Sequence, residues 1–347
     1  MTKQRFLVIR ISSIGDIVHT LPAVTALAEA FPQAEIDWAI ETRYASLLAG
    51  NPYVHRVLKL DTLGWRRKLA SAATLEEIAR GLLALREFAF DAAVDFQGLI
   101  KSALLARLSG ARDRMGFSEY RLREPAAAVF YTERVSARAS KHVVEESLAL
   151  AERLGARSPE PARWRFPLPH SALDDAHVER QLASLGAREF MVINPGGGWI
   201  SKRWAPENYA ELIRRLEAEL PWNVFVTGST EEEALLWEIL ERAGPRRASV
   251  FRSTLVQFIA LARRAKLFVG GDTGPLHLAA AVGTPIVAIY GPTDPARNGP
   301  FSAADIALSN RGPIDHTRRT RNAPYLPGVS VESVLAAIRE RLSRANG

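Results

Sequence analysis

Short runs of branched apolar residues alternate with stretches of helical periodicity along almost the whole chain, and nothing else restricts the fold as much. Arg5 to Arg10, Glu35 to Ile40, Val54 to Leu60 and Ala92 to Phe96 read as strands. Between them, Val18 to Phe31, Tyr44 to Leu48, Leu75 to Phe88 and Gly98 to Leu108 carry helical patterns, the first stopped by Pro32. Strands apolar on both faces need helices on both sides, so the pattern predicts an α/β chain with parallel sheet.

The alternation breaks once. Ser158 to His170 holds four prolines in thirteen residues, which neither a helix nor a central strand tolerates, so it reads as a linker. Beyond it, Phe190 to Asn194, Asn223 to Thr227, Leu267 to Gly270 and Pro285 to Tyr290 read as strands. Helices are expected over Pro206 to Glu219, Glu231 to Ala243, Leu255 to Arg264 and Pro275 to Val282. Val331 to Arg344 closes the chain as a helix capped by Ser330. With 347 residues, 47% of them apolar, two cores can form. The expected domains are 1–160 and 171–328, with the terminal helix in 329–347. Open parallel sheets bind ligands at the carboxyl ends of their strands, and two such sheets facing one another would enclose a cleft.

The absence of cysteine excludes disulfides, thiolate nucleophiles and Cys-based metal sites, and fits the reducing cytosol. The apolar run Phe6 to Ile9 is too short for a signal peptide, and no stretch reaches the roughly 18 apolar residues of a membrane helix. The chain is expected to be soluble, with any membrane contact peripheral. Its net charge is +7, with 24 Lys/Arg against 19 Asp/Glu in residues 1–165. That bias suits an anionic partner for the first domain, or an ordinary solvated surface. Nucleic acid is disfavoured because no zinc finger, RNP-like motif or Lys-rich tail is present. No Asp-x-Asp, His-Glu-x-x-His or Gly-x-Ser-x-Gly occurs, so neither a metal site nor a serine nucleophile is expected.

Four loops can carry chemistry. After the first strand, Ser12-Ser13-Ile14-Gly15-Asp16 lacks the glycine fingerprints of dinucleotide and P-loop folds. Asp16 opens a helix there, either as a capping acid or as a general base, and His19 lies one turn further on, either structural or on the same face. The run Gly270-Gly271-Asp272-Thr273-Gly274-Pro275 follows an apolar strand. It would present free N–H groups, a helix dipole and the Thr273 hydroxyl to a phosphate, with His277 on the first helical turn. Gly196-Gly197-Gly198 and Lys202 follow another strand, so backbone can approach a diphosphate and Lys202 can supply charge. Glu231 follows a third, either accepting from ribose hydroxyls or simply starting a helix. Finally Arg66, Arg67 and Lys68 beside Trp65, with Lys101 after Gln97, suit an acidic ligand or a solvated face.

Taken in order, Arg10-Ile-Ser-Ser-Ile-Gly-Asp16-Ile-Val-His19, Asp95-Phe-Gln-Gly-Leu-Ile-Lys101, Ser201-Lys-Arg-Trp204 and Gly271-Asp-Thr-Gly-Pro-Leu-His277 resemble glycosyltransferase family 9. These are the ADP-heptose:lipopolysaccharide heptosyltransferases, and the likeness is greatest to their heptosyltransferase I group, over residues 5 to 342. The resemblance implies a GT-B fold of two Rossmann-like parallel-sheet domains facing across a cleft. The acceptor would bind the first domain and the nucleotide sugar the second, and the last helix would pack back on the first. It implies inverting transfer without a metal or other cofactor, with Asp16 as base. Lys202, Glu231, Asp272, Thr273, Gly274 and His277 match donor-site positions. Gly197 and Gly198 stand where heptosyltransferase I carries hydroxyl residues, leaving only backbone donors. Arg66, Arg67, Lys68, Gln97 and Lys101, with Ser13, Gly15 and His19 of the first motif, match the acceptor side. The implied partners are ADP-heptose and an anionic lipid-linked acceptor of the Kdo–lipid A type, met peripherally at the cytoplasmic face of the inner membrane. The rivals are a family-9 transferase using another sugar or acceptor, a sugar-nucleotide epimerase of similar fold, and a non-catalytic sugar-nucleotide binder.

Overall fold

The computed structural model describes residues 3–68, 71–137, 140–309, 325–326 and 328–344. It divides into two compact units, Met1–Pro169 and His170–Gly347. The first unit runs β1 (Arg5–Ile9), α1 (Ile14–Ala30), β2 (Glu35–Glu41), a 3₁₀ segment (Thr42–Leu48), β3 (Arg56–Leu60), α2 (Thr62–Arg67) and α3 (Ala72–Glu87). It continues through β4 (Ala92–Asp95), α4 (Ile100–Leu108), β5 (Asp113–Phe117), a second 3₁₀ segment (Pro125–Phe130), β6 (Glu133–Val135) and α5 (Val143–Arg153). Its strands form one parallel sheet in the order β3-β2-β1-β4-β5-β6.

The second unit begins with α6 (Ala172–Ser184), β7 (Phe190–Asn194), α7 (Pro206–Glu219), β8 (Asn223–Val226), α8 (Glu233–Ala243), β9 (Ala248–Val250) and α9 (Leu255–Arg264). It ends with β10 (Leu267–Gly271), α10 (Gly274–Ala281), β11 (Ile286–Tyr290), α11 (Pro295–Asn298), β12 (Ile306–Ser309) and α12 (Val331–Ser343). Its order, β12-β11-β10-β7-β8-β9, repeats that of the first sheet strand for strand, again wholly parallel. The α/β architecture expected from the alternation is therefore present twice. In each sheet the strand order reverses once, between β1 and β4 and between β7 and β10. Chains leaving those neighbours diverge to opposite faces and open a crevice at the carboxyl edge.

Burial follows position in the sheet. Phe6 to Ile9 of β1 and every residue of β7, β10 and β11 are buried, whereas the edge strands β3 and β9 contain no buried residue. The terminal helix contributes to the core of the second unit. Val334, Leu335 and Ile338 of α12 join the second unit's core beside Ile213, Leu216, Val287 and Ile289. Trp204 Nε1 donates to Val329 O at 2.8 Å and pins the chain just before the helix. The apolar face of α12 is covered by α7 and β11 of its own unit.

Arg341 of α12 donates through Nε to Asp305 Oδ1 at 2.9 Å, with both side chains almost wholly buried. Burial pushes the Asp305 carboxyl up, and the guanidinium and two backbone N–H groups oppose it. Arg341→Ala leaves that acid buried without its cation, and the expected loss is about 3–5 kcal/mol. Urea unfolding at pH 7 checks it; a loss below about 1 kcal/mol would show that water replaces the arginine freely.

Candidate active site

The residues singled out in the sequence gather at the two carboxyl edges. In the first unit, Arg10 to Asp16 leave β1 and Phe96 to Gly98 leave β4, so both loops flank the switch point. Asp16 sits in the first turn of α1 with its side chain 42% exposed. Its Oδ2 accepts from Ser13 N at 3.0 Å and Ser13 Oγ at 2.9 Å, and its Oδ1 from Arg10 Nη2 at 3.0 Å. The carboxylate is thus held at the mouth of the crevice while still reaching solvent.

The β4 turn is built around Asp95, which is completely buried. Asp95 Oδ1 accepts from Gln97 N and Gly98 N at 2.8 and 3.1 Å, and Oδ2 from Ser102 Oγ and Tyr131 Oη at 2.8 and 2.7 Å. Burial raises the Asp95 carboxyl despite those four donors, and burial together with the neighbouring Asp95 carboxylate raises the Tyr131 phenol. Gly98 turns the chain at φ +68°, a left-handed conformation that glycine adopts without strain. Gln97 then points Oε1 at Ile11 N and Ser12 N, 3.0 Å from each. Gln97, half-buried, thus shapes the Asp16 loop through its Oε1.

Tyr44, which no sequence pattern marked, stands in the 3₁₀ segment after β2. Burial raises its phenol; Arg43, stacked 4.5 Å from the ring centre, opposes this, and the carboxylates of Glu41 and Asp16 add to it. Arg66, Arg67 and Lys68, on and just after α2, and Lys101, on the first turn of α4, are exposed on connections leaving the same edge. Ser13 is exposed, and Gly15 is buried in the first turn of α1. His19 takes a buried position. It is 3% exposed and its ring meets His142 edge-on at 5.6 Å, where α1 packs on α5. An i, i+3 spacing allowed a shared face with Asp16, but the apolar side of α1 takes His19 inward.

In the second unit, the loops after β7 and β10 flank the switch point, and β8 lies next to β7. Lys202 Nζ lies 2.6 Å from Asp272 Oδ2, and His277 Nε2 lies 3.1 Å from Asp272 Oδ1. An ionised carboxylate only accepts, so His277 Nε2 carries the hydrogen of that bond. Burial alone would raise Asp272; His277 and Lys202 outweigh it and hold the carboxyl far below the ordinary range. Asp272 and His277 are thus buried anchors, and Lys202, above the Trp199 ring at 4.7 Å, is the cation they orient. Gly274 begins α10 directly behind Thr273, whose hydroxyl donates to Asn194 Oδ1 at 3.2 Å.

The glycine loop is tied by an acid that sequence reasoning passed over. Glu232 Oε1 accepts from Gly197 N at 3.0 Å and Oε2 from Ser229 N at 2.9 Å. A Cβ on Gly196 would stand 2.3 Å from Glu232 Oε1, so only glycine lets the two approach. The N–H of Gly197 is therefore engaged within the loop, whereas Gly198 is exposed. Glu231, its neighbour, is exposed after β8. The signal that could have found Glu232 is Ser229-x-x-Glu232, a helix-capping spacing. Among the described residues no three His, Cys, Asp or Glu converge as metal ligands. A concavity lined by Thr25, Glu29, Arg157, Arg163 and Arg165 belongs to the later turns of α1 and the linker, not to either switch point.

What this arrangement can do is hold an anion at the second edge and present a carboxylate at the first. The family model for glycosyltransferase family 9 (heptosyltransferase) matches residues 78–325. Lipopolysaccharide heptosyltransferase 1 of Pseudomonas aeruginosa is 32% identical over 317 residues, covering 89% of this chain and 84% of that protein. Its counterpart from Escherichia coli K12 is 31% identical over 306 residues, covering 86% and 91%. Among solved structures, E. coli heptosyltransferase WaaC with ADP superposes with TM-score 0.79 at 28% identity, covering 97% of this chain and all of that one. E. coli ADP-heptose LPS heptosyltransferase II does so with TM-score 0.77 at 26% identity, covering 99% and 100%.

Proposed function

Because the chain belongs to glycosyltransferase family 9, we propose that it transfers heptose from ADP-heptose to the Kdo region of the lipopolysaccharide inner core, inverting the anomeric carbon, with Asp16 as general base. The observation that carries this reading is the Lys202–Asp272–His277 cluster set against the start of α10. A cation of fixed direction beside the free N–H groups of a helix start is what a departing diphosphate requires. The names of relatives support the choice of donor: E. coli WaaC has been solved with ADP and with an ADP-2-deoxy-2-fluoro heptose.

In this reading the second unit holds the nucleotide sugar, its diphosphate met by Lys202, Gly274 N and the neighbouring α10 amides, and Glu231 takes the ribose. The acceptor hydroxyl donates to Asp16, which removes its proton as the oxygen attacks the anomeric carbon. The bond to ADP breaks on the opposite face, so the configuration inverts and the electron pair leaves with the diphosphate. Charge on the leaving group is answered by Lys202 and the helix start, so the step calls for no metal. Arg66, Arg67, Lys68 and Lys101 complement an anionic, lipid-linked acceptor. No helix among the described residues is long and apolar enough to cross a membrane, and we place the protein peripherally at the cytoplasmic face of the inner membrane.

ADP-heptose and Kdo₂-lipid A incubated with the protein and excess EDTA should give a heptosylated product of inverted configuration, read by mass spectrometry and NMR. ADP should raise the melting temperature more than UDP or GDP at equal concentration. Equal shifts from all three would move the donor assignment to another nucleotide sugar, and donor binding without transfer would favour a non-catalytic binder.

A further inference from the structure

We propose that Arg10 is the positioning residue of this site, setting the direction in which the Asp16 carboxylate meets the attacking hydroxyl; the inference rests on the reading of Asp16 as base. Arg10 immediately follows β1 and is 9% exposed. Its guanidinium makes three contacts at once. Nη2 donates to Asp16 Oδ1 at 3.0 Å, Nε to the Asp16 carbonyl at 3.3 Å, and Nη1 to the Phe96 carbonyl at the end of the β4 turn. The backbone of Arg10 is itself held, since Trp38 Nε1 donates to its carbonyl at 3.1 Å.

The brace is reciprocal. The β1 loop grips the β4 turn through Arg10, and the β4 turn grips the β1 loop through Gln97, whose Oε1 receives Ile11 N and Ser12 N. Asp95, satisfied by Ser102 and Tyr131, keeps that turn from yielding. Asp16 is thereby fixed to the one place where two diverging loops meet. A planar fork with several donors performs this task, and a point ammonium on a flexible stem does not. Oδ2 accepts from Ser13, an exposed residue of the same loop, so an incoming hydroxyl can exchange places with the Ser13 hydroxyl there.

Charge adds a second signature. Charged and titratable groups near Asp16 include Arg10 and Tyr44, the latter beside Arg43 and Glu41, with the buried His19 one turn along α1; Lys101 begins α4 at the same sheet edge. Arg10 is a cation in direct contact with the carboxylate. Its removal makes the ionised form less favourable and moves the acid limb of turnover to higher pH.

The test compares Arg10→Met, Arg10→Lys, Arg10→Ala and Asp16→Asn in the full chain. Arg10→Met should lower kcat by about 10²-fold, the scale of a small misplacement of a catalytic group, with KM for ADP-heptose within about twofold and the acid limb shifted upward. Arg10→Lys should recover part of kcat and return the limb toward the wild-type pH. Guanidinium ion should partly restore Arg10→Ala. A wild-type kcat in Arg10→Met, or a loss carried by donor KM with an unmoved acid limb, overturns the proposal. Should Arg10→Met fail to fold, Arg10→Lys carries the test: it keeps the charge and loses the fork, so a wild-type kcat there is equally fatal. If Asp16→Asn remains active, the base reading itself falls; if Asp16→Asn is inactive while Arg10→Met is normal, only the role of Arg10 falls.

Discussion

Asp16→Asn should lower turnover by about 10²–10⁴-fold, the usual contribution of a positioned general base, while ADP binding stays unchanged. The substitution keeps the shape of the side chain and removes the proton acceptor. It also meets a hydrogen-bond conflict. Both carboxylate oxygens accept in the native protein, Oδ1 from Arg10 and Oδ2 from Ser13. An amide places an NH₂ against one of these donors in either orientation, so the loop loosens slightly. The side chain is 42% exposed, so water limits that cost. Single-turnover rates with saturating acceptor, together with ADP-induced thermal shifts, separate the two effects. Retention of more than about a tenth of wild-type turnover would be incompatible with Asp16 as base.

The other large effect is expected from Lys202→Met. In the free protein it leaves Asp272 buried with only His277 as a partner, and breaking such a buried pair costs about 3–5 kcal/mol. During transfer it removes the cation facing the departing diphosphate, a loss of about 10²–10³-fold in kcat. Arginine should not restore function, because the 2.6 Å contact with Asp272 is shaped for a compact ammonium.

The pH dependence of stability follows from the same group. The folded protein holds the Asp272 carboxyl far below its unfolded value of about 3.9. A depressed carboxyl stabilises the fold fully above the unfolded pKa and ceases to do so as pH falls through the folded one. This contribution is therefore constant from about pH 5 to 8 and declines only below about pH 4. Denaturant midpoints of wild type and Lys202→Met should differ by a constant amount across the neutral range and converge in acid. A gap that closed between pH 5 and 7 would point to a different titrating group.

Much of the architecture was legible because it rests on local periodicity. The central strands β1, β7, β10 and β11 are apolar on both faces and stand out in any window. Those missed are edge strands or polar ones: β6 and β9 span three residues each, and β5 carries Asp113, Arg114 and Gly116. A strand covered on one side needs little apolar sequence, so its pattern resembles a loop. The helix expected from Gly98 begins at Ile100, because Gly98 is consumed by the turn that serves Asp95.

The site was legible in its loops and less so in its wiring. Glycine, proline and a polar residue after a buried strand announce a turn that can hold an anion, which is how Asp272 to Gly274 and Gly196 to Gly198 come to notice. Asp272 and His277 as anchors, Glu232 as the tie of the glycine loop and Arg10 as a brace are invisible at that level. Each depends on a partner far along the chain: Arg10 and Phe96 are 86 residues apart, Lys202 and Asp272 70, Gly197 and Glu232 35.

Residue order alone dictated two α/β units, buried parallel strands and the turns at which ligands gather, because period, glycine and proline act within a few residues. Which side chains meet at those turns was decided by the order of strands in each sheet, 3-2-1-4-5-6 counted within each unit. That order places β4 against β1 and β10 against β7, and loops leaving neighbouring strands bring residues distant in the chain within hydrogen-bond reach.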